Sequence, residues 1–287
     1  MRTANLHGRL ALIFDDRAVD VEEASGGRFA ADPQAVFERW DEFRDWAADV
    51  SPAGGRPVDQ AAFGAPVPRP RQVFAIGLNY ADHVAESNLR TPEEPAVFTK
   101  FVTSLTGPYD PVALPSPVVD WEVELVAVIG RRAEQVRAED AWSHVAGLTV
   151  GQDLSERHVQ LRGPAPQFSL GKSFPGFGPL GPVLVTPDEL EDPDDVGIGC
   201  AVDGETMQHS RTSQMIFPVS ELIARLSAVC PLLPGDLVFT GTPAGVGGAR
   251  EPRRFLAPGQ ELHSWIDGIG ALHNRMVSAS PLRPAPQ

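Results

Sequence analysis

From about residue 72 onward the chain alternates apolar and polar residues in short runs, the period-2 signature of strands. The runs are QVFAIGLN, AVFTKF, WEVELVAVIG, VAGLTVGQDL, GPVLVT, VGIGCAVDG, GDLVFTGT and ELHSWIDGIG. Asp203-Gly204 and Asp267-Gly268 read as hairpin turns. Helical spacing is clear in only two places. DPQAVFERWDEFRDWAADV predicts a helix over 33–49, with Asp32 as N-cap, Pro33 at the first helical position and a core face of Val36, Trp40, Phe43 and Trp46. PVSELIARLSAV predicts a second helix over 218–229, and shorter helical turns are expected near 81–86, 138–144 and 155–161. So few helices among so many strands argue against a regular βαβ alternation and for an α+β, mainly β fold. The Gly- and Pro-rich run SPAGGRPVDQAAFGAPVPRPRQ separates an opening segment, which begins with the strand RLALIF, from the rest. We place the boundary near residue 68, giving a small N-terminal domain over 1–68 and a larger one over 69–287.

One run carries charge where a buried strand has none. In VDWEVELVAVIG, alternation sets Glu122 and Glu124 on one face, with Val123, Leu125, Ala127 and Ile129 on the other. Residues two apart on a strand face lie roughly 6–7 Å apart, so the two carboxylates can share a hard cation. Asp153, at the end of the apolar run TVGQD, is a third candidate. Three carboxylates without Cys favour Mg²⁺ or Mn²⁺, with Ca²⁺ an option, over zinc. On pattern alone a solvated face bearing two glutamates is the commoner arrangement, so both readings stand at this point.

Composition narrows the partners. With 42% hydrophobic residues, 22% charged residues and a net charge of −14, the chain is a globular protein that repels phosphate backbones and anionic lipid. Nucleic-acid and membrane partners are therefore not expected, and a small anionic substrate needs a local cation. No run approaches the roughly 18 apolar residues of a membrane span, and the N-terminus lacks a signal-peptide core, which predicts a cytoplasmic protein. Cys200 and Cys230 are the only cysteines and read as buried free thiols. Among the 24 basic residues only Lys100 and Lys172 are lysine. A chain that otherwise uses Arg retains Lys where a group able to lose its proton is useful.

Other candidates lie in loops. If the chain turns helical after Tyr80, His83 and Glu86 at i, i+3 form a pair in which Glu orients His as a general base. A solvated pair on a surface turn is the plainer alternative. Lys172 sits in the Gly- and Pro-rich PQFSLGKSFPGFGPLGP, and Thr242 follows a strand in GDLVFTGTPAGVGG, whose glycines let backbone N–H groups approach a ligand. No Lys-Ser/Thr follows those glycines, so a nucleotide-binding loop is excluded.

Taken in order, GLNYADHVAE, FTKF, VDWEVELVAVIGR, GLTVGQDLSERHVQ, LGKSF…GPLGP and VDGETMQHSRTSQMIFPVSELIARLS…LLPGDLVFTGTPAGVG resemble the fumarylacetoacetate hydrolase family over roughly residues 72–278. The resemblance implies a mixed β-roll catalytic domain, a homodimer and a Mg²⁺ or Mn²⁺ ion on Glu122, Glu124 and Asp153. It implies that His83 and Glu86 activate water on a segment that can close as a lid, that Lys172 is the active-site lysine, and that Arg157, Gln160 and Thr242 surround the oxo-acid end of the substrate. Lys100 falls near the site. The family usually reads Ser-Phe-Asp after the lysine, whereas this chain reads Ser173-Phe174-Pro175.

The activity so implied is metal-dependent hydrolysis of a carbon–carbon bond in an acylpyruvate-like 2,4-dioxo acid, through a metal-stabilised pyruvate enolate. Oxaloacetate decarboxylation and isomerisation of an unsaturated 2-oxo diacid pass through the same enolate and are the enzymatic alternatives. A catalytically silent metal- or ligand-binding homologue is the alternative outside the enzymes, with Pro175 as its hint.

Overall fold

The structure is a computed structural model and describes residues 1–87 and 90–279. The larger sheet holds twelve strands among those residues. At its centre Gly178–Val185, Val145–Gln152, Val123–Ile129 and Leu237–Phe239 are antiparallel neighbours. Val73–Gly77 then adds in parallel to Leu237–Phe239, and Ala96–Thr99 closes that edge. A second, five-stranded sheet runs Glu205–Arg211, Gly197–Val202, Glu261–Ile266, Gly270–Ser278 and Val112–Leu114.

Val123–Ile129 is buried along its whole length because it separates two cores. Val123, Leu125, Ala127 and Ile129 face a core shared with the five-stranded sheet and the helix Val219–Val229. Val126 and Val128 face a second core with Phe37, Trp40 and Phe43. Each of the Val, Leu and Ile side chains contributes about 1.5–3 kcal/mol on burial, which keeps the strand in fixed register. Glu122 lies just before the strand rather than within it. Gly151, opposite Glu124, has no room for a Cβ, which would lie 2.5 Å from Val126 Cγ2.

The N-terminal unit is a meander of Arg2–Leu6, Arg9–Phe14 and Arg17–Asp20. Its first strand pairs antiparallel with Gly178–Val185, so the meander prolongs the larger sheet. In place of one helix over 33–49 there is a 3₁₀ turn, Ala35–Arg39, followed by the α-helix Trp40–Ala47. The break falls at Arg39, whose φ of −134° and ψ of 37° lie outside the helical region. In the 3₁₀ turn residues i and i+3 eclipse, and Phe37 stacks on Trp40 at 5.4 Å. The N-cap of that turn is Gln34 rather than Asp32, and Pro33 lies outside it; Asp32 accepts from the Gln34 N–H at 3.0 Å in the turn before.

The expected helical turn over 155–161 shrinks to Arg157–Gln160, because Ser155 and Glu156 pair with Asp120 and Val119. Glu156 caps it through the Val159 N–H at 2.6 Å. Residues 138–144 form a 3₁₀ helix, while Ala81–Glu86 and Val219–Val229 are α-helical. Asp203 and Gly204 turn the hairpin between Gly197–Val202 and Glu205–Arg211 with φ of 51° and 83°. Both cysteines are free, but Cys230, expected to be buried, is only half-buried at the C-cap of the long helix.

Candidate active site

The residues bearing Glu122 and Asp153 are locked together by the main chain. Asp153 N–H donates to the Glu122 carbonyl at 2.9 Å, and Glu122 N–H donates to Gln152 Oε1 at 3.0 Å. Glu124 follows on the central strand. One oxygen from each of Glu122, Glu124 and Asp153 lies within 4.8 Å of the others, and all three side chains are buried.

Three cations come to this cluster from separate parts of the chain. Lys172 Nζ donates to Glu122 Oε2, Asp153 Oδ2 and Ser155 Oγ, each at 2.7 Å. Lys100 Nζ donates to Asp153 Oδ1 at 2.7 Å and to the Lys172 carbonyl. Arg157 Nη1 lies 2.7 Å from Glu122 Oε1, while Nε and Nη2 hold Asp120 Oδ2 at 2.8 and 2.6 Å. Burial alone would raise the Glu122 pKa, but Lys172, Arg157 and, less strongly, His83 bring it down to about 2. Burial likewise opposes the charge on Lys172, and Asp153 and Glu122 outweigh it, so its pKa lies above the ordinary value. Lys100 is fully enclosed, and for it burial wins: its pKa falls despite Asp153.

Glu124 is the exception among the carboxylates. Burial, then the charges of Asp153 and Glu122, push its pKa well above 4.5, and its hydrogen bond from Gly241 N–H at 2.8 Å offsets little of this. Three buried carboxylates whose charges crowd one another form the oxygen donor set that a hard divalent cation stabilises. Tyr80 Oη, buried and within the field of Glu124, has no hydrogen-bond partner among the described residues, an orphaned polar atom of the kind that ordered water satisfies. The residues present therefore fit Mg²⁺ or Mn²⁺.

Beside the cluster opens a cleft of about 750 Å³ whose wall includes His83, Glu86, Glu122, Arg157, Lys172 and Thr242. His83 Nδ1 and Glu86 Oε1 are 2.7 Å apart on the helix Ala81–Glu86. Glu86 Oε2 accepts from Gly245 N–H at 2.9 Å, which ties this helix to the loop after Phe239. Thr242 lines the cleft, but its hydroxyl is engaged: it donates to the Val123 carbonyl at 2.9 Å and accepts from Gln208 Nε2 at 2.7 Å. Gln160 Oε1 accepts from Arg157 Nη1 at 2.8 Å. All nine residues named from the sequence thus gather around one site. Pro175 leaves Lys172 well held, since its carboxylate partners are Glu122 and Asp153.

Sequence reasoning missed Asp120. It is fully buried and holds Arg157 together with the Gly247 and Gly248 N–H groups. The only signal was an acid two residues before Glu122 in an apolar setting. It also missed Gln208, whose Oε1 accepts from Val123 N–H at 3.0 Å and whose Nε2 holds Thr242. Arg250 was missed too: it clasps the Gly245 carbonyl from the cleft wall.

Residues 72–277 match the family described as fumarylacetoacetate (FAA) hydrolase, C-terminal. The chain belongs to the fumarylacetoacetate hydrolase family. Within that family it is 48% identical over 223 residues to the Bos taurus protein named oxaloacetate tautomerase FAHD2A, mitochondrial, covering 77% of this chain and 71% of that one. A Mycobacterium smegmatis chain solved as a candidate HpcE protein is 56% identical, with a TM-score of 0.93 over 98% of this chain and 100% of that one. Maleylpyruvate hydrolase from Sphingobium sp. SYK-6, solved with manganese(II) and pyruvate, is 27% identical, with a TM-score of 0.80 over 98% and 100%. Relatives in the family thus bind Mn²⁺, and their names span tautomerase and hydrolase. The bovine relative's name places it in mitochondria, in contrast to the cytoplasmic expectation for this chain. Among the described residues no helix is long and apolar enough to cross a membrane.

Proposed function

We propose that this chain is a Mg²⁺- or Mn²⁺-dependent enzyme that moves a proton next to the carbonyl of a small 2-oxo acid, interconverting the keto and enol forms of an oxaloacetate-like substrate. The observation that carries this reading is the opening of one cleft onto both the Glu122 carboxylate and the His83–Glu86 pair. Glu122, Glu124 and Asp153 would hold the ion, which when bound supplies polarisation of the 2-oxo carbonyl.

The chain's own residues do the rest. Glu86, fixed by Gly245 N–H, orients His83 through Nδ1 and leaves Nε2 free to take or return a proton. Lys172 Nζ, charged between Glu122 and Asp153, stabilises negative charge developing on the substrate oxygen. Arg157 holds Glu122 in place and adds positive charge to an acidic protein's site. Identity to the oxaloacetate tautomerase is higher than to the maleylpyruvate hydrolase, which supports proton transfer as the reaction.

Hydrolysis of a carbon–carbon bond in an acylpyruvate-like 2,4-dioxo acid is the second reading. The half-buried Glu86 favours it, because the pair then borders a cleft where water can be deprotonated. The homodimer implied by the resemblance belongs to this proposal, and size-exclusion chromatography with light scattering tests it.

The deciding experiment supplies Mn²⁺ and follows loss of enol-oxaloacetate absorbance beside release of pyruvate from acylpyruvates. Accelerated enol loss without carbon–carbon cleavage supports the first reading, and pyruvate release supports the second. Neither, across a panel of 2-oxo acids, refutes both.

A further inference from the structure

One part of the cleft wall has no role in the reading above. Residues 248–253 and Phe255 line it after the loop that carries Gly245. Arg250 is half-buried there, 5.9 Å from the Trp121 ring, and is fixed by backbone acceptors alone: Nε and Nη2 donate to the Gly245 carbonyl at 3.3 and 3.2 Å, and Nη2 to the Met207 carbonyl at 2.8 Å. Among the described residues Nη1 makes no hydrogen bond and Arg250 no ion pair. Arg253 also lines the cleft, is exposed and has no acid partner among those residues, whereas the adjacent Arg254 is tied to Glu205 at 2.6 Å.

In an acidic chain such a pair is informative. Most arginines here sit on carboxylates, as Arg157, Arg131 and Arg211 do. A guanidinium held rigid by carbonyls, with donors to spare and facing a cleft, is preorganised for a planar anion. Glu251 lines the same wall, so the second arginine is needed to keep that end of the cleft positive. Lys172 and Arg157 are already engaged with the carboxylate cluster.

We propose that Arg250 and Arg253 bind the distal carboxylate of the substrate, so that the enzyme is selective for dicarboxylic over monocarboxylic 2-oxo acids. This rests on the proposed reading of the cleft as a 2-oxo acid site and names its substrate class. Arg250 is the fixed contact, and the exposed Arg253 is the second.

The test is binding to the Mn²⁺-loaded full chain, by calorimetry, of a pair matched in length: 2-oxoglutarate and 2-oxopentanoate. The diacid should bind roughly tenfold to a hundredfold more tightly, the range of one or two charge-assisted hydrogen bonds. Arg253→Gln should cut that ratio about tenfold, and Arg250→Gln should cut it at least as far. Because Arg250 also supports Gly245, the exposed Arg253 keeps the test decisive if the Arg250 variant misfolds. Equal affinity for the two acids in the unaltered protein overturns the proposal, as does an unchanged ratio in Arg253→Gln. Turnover is scored separately: diacid preference without turnover upholds the subsite and refutes the proposed reaction.

Discussion

Replacing Asp120 with Asn tests whether the site is held by a buried charge pair or only by packing. Asp120 is fully buried, and its oxygens accept five N–H groups: Oδ1 from Trp121 at 2.8 Å and Gly247 at 2.7 Å, Oδ2 from Gly248 at 2.8 Å and from Arg157 Nε and Nη2 at 2.8 and 2.6 Å. In either orientation Asn turns an NH₂ toward at least two of these donors. It also leaves Arg157, whose side chain is 16% exposed, with Glu122 as its one charged partner. Breaking a buried pair from one side costs about 3–5 kcal/mol. At roughly 2–4 °C per kcal/mol for a chain of this size, the melting temperature should fall by roughly 6–20 °C. The assay is urea unfolding with chelator present, so that metal binding does not mask the loss. The double variant Asp120→Asn with Arg157→Met should cost less than the sum of the single changes, because neither then leaves a buried charge unpaired. A loss below about 1 kcal/mol with an unchanged denaturant slope would refute the reasoning.

Four further outcomes follow from the same geometry. Glu124→Gln removes a ligand and relieves crowded negative charge, so the chelated variant should be at least as stable as the parent while Mn²⁺ no longer raises its melting temperature; a Mn²⁺ shift equal to the parent's counts against the ligand set. Because burial and its neighbours push the Glu124 pKa above 4.5, the metal-free fold binds that proton more tightly than the unfolded chain does, and stability is lost as pH rises past the ordinary carboxyl range. A bound cation offsets that loss, so the melting-temperature gain from Mn²⁺ should grow as pH rises above the ordinary carboxyl range, and a flat profile contradicts the linkage. Gly245→Ala would set a Cβ 2.1 Å from the Met207 carbonyl oxygen at a φ of +109°, displacing the N–H that holds Glu86; activity should drop at least about tenfold, and parent-like kinetics would separate Gly245 from the pair. Gly151→Ala forces a methyl against Val126 and Phe239 and should cost about 1–3 kcal/mol in unfolding experiments, whereas a neutral result would mean that the two strands can spread.

Much of the site was legible because the signals are local. Glu122 and Glu124 stand out in an apolar run, and His83 and Glu86 sit at helical spacing on a segment that is a helix. The scarcity of lysine marked both Lys172 and Lys100, and Lys100 is equally buried and bonded to Asp153. Asp120 and Gln208 carried no comparable signal, since a buried acid or amide is identified by the donors it meets. Those donors come from residues 157, 247 and 248 for Asp120, and from residue 123 for Gln208.

The sequence by itself determined the strand-rich class, the turns at Asp203-Gly204 and Asp267-Gly268, and the order of motifs that marks the family, because periodicity and turn chemistry act over a few residues. Tertiary structure alone decided which cations meet which carboxylates. Lys172 reaches Glu122 across 50 positions and Arg157 reaches Asp120 across 37. It also decided that the central strand divides two cores, and that the N-terminal meander completes the sheet through Thr3 and Leu184. Charge and burial at those points depend on neighbours brought by the fold, and the balance between desolvation and Coulomb attraction that sets Glu122 low and Glu124 high exists only once those neighbours are in place.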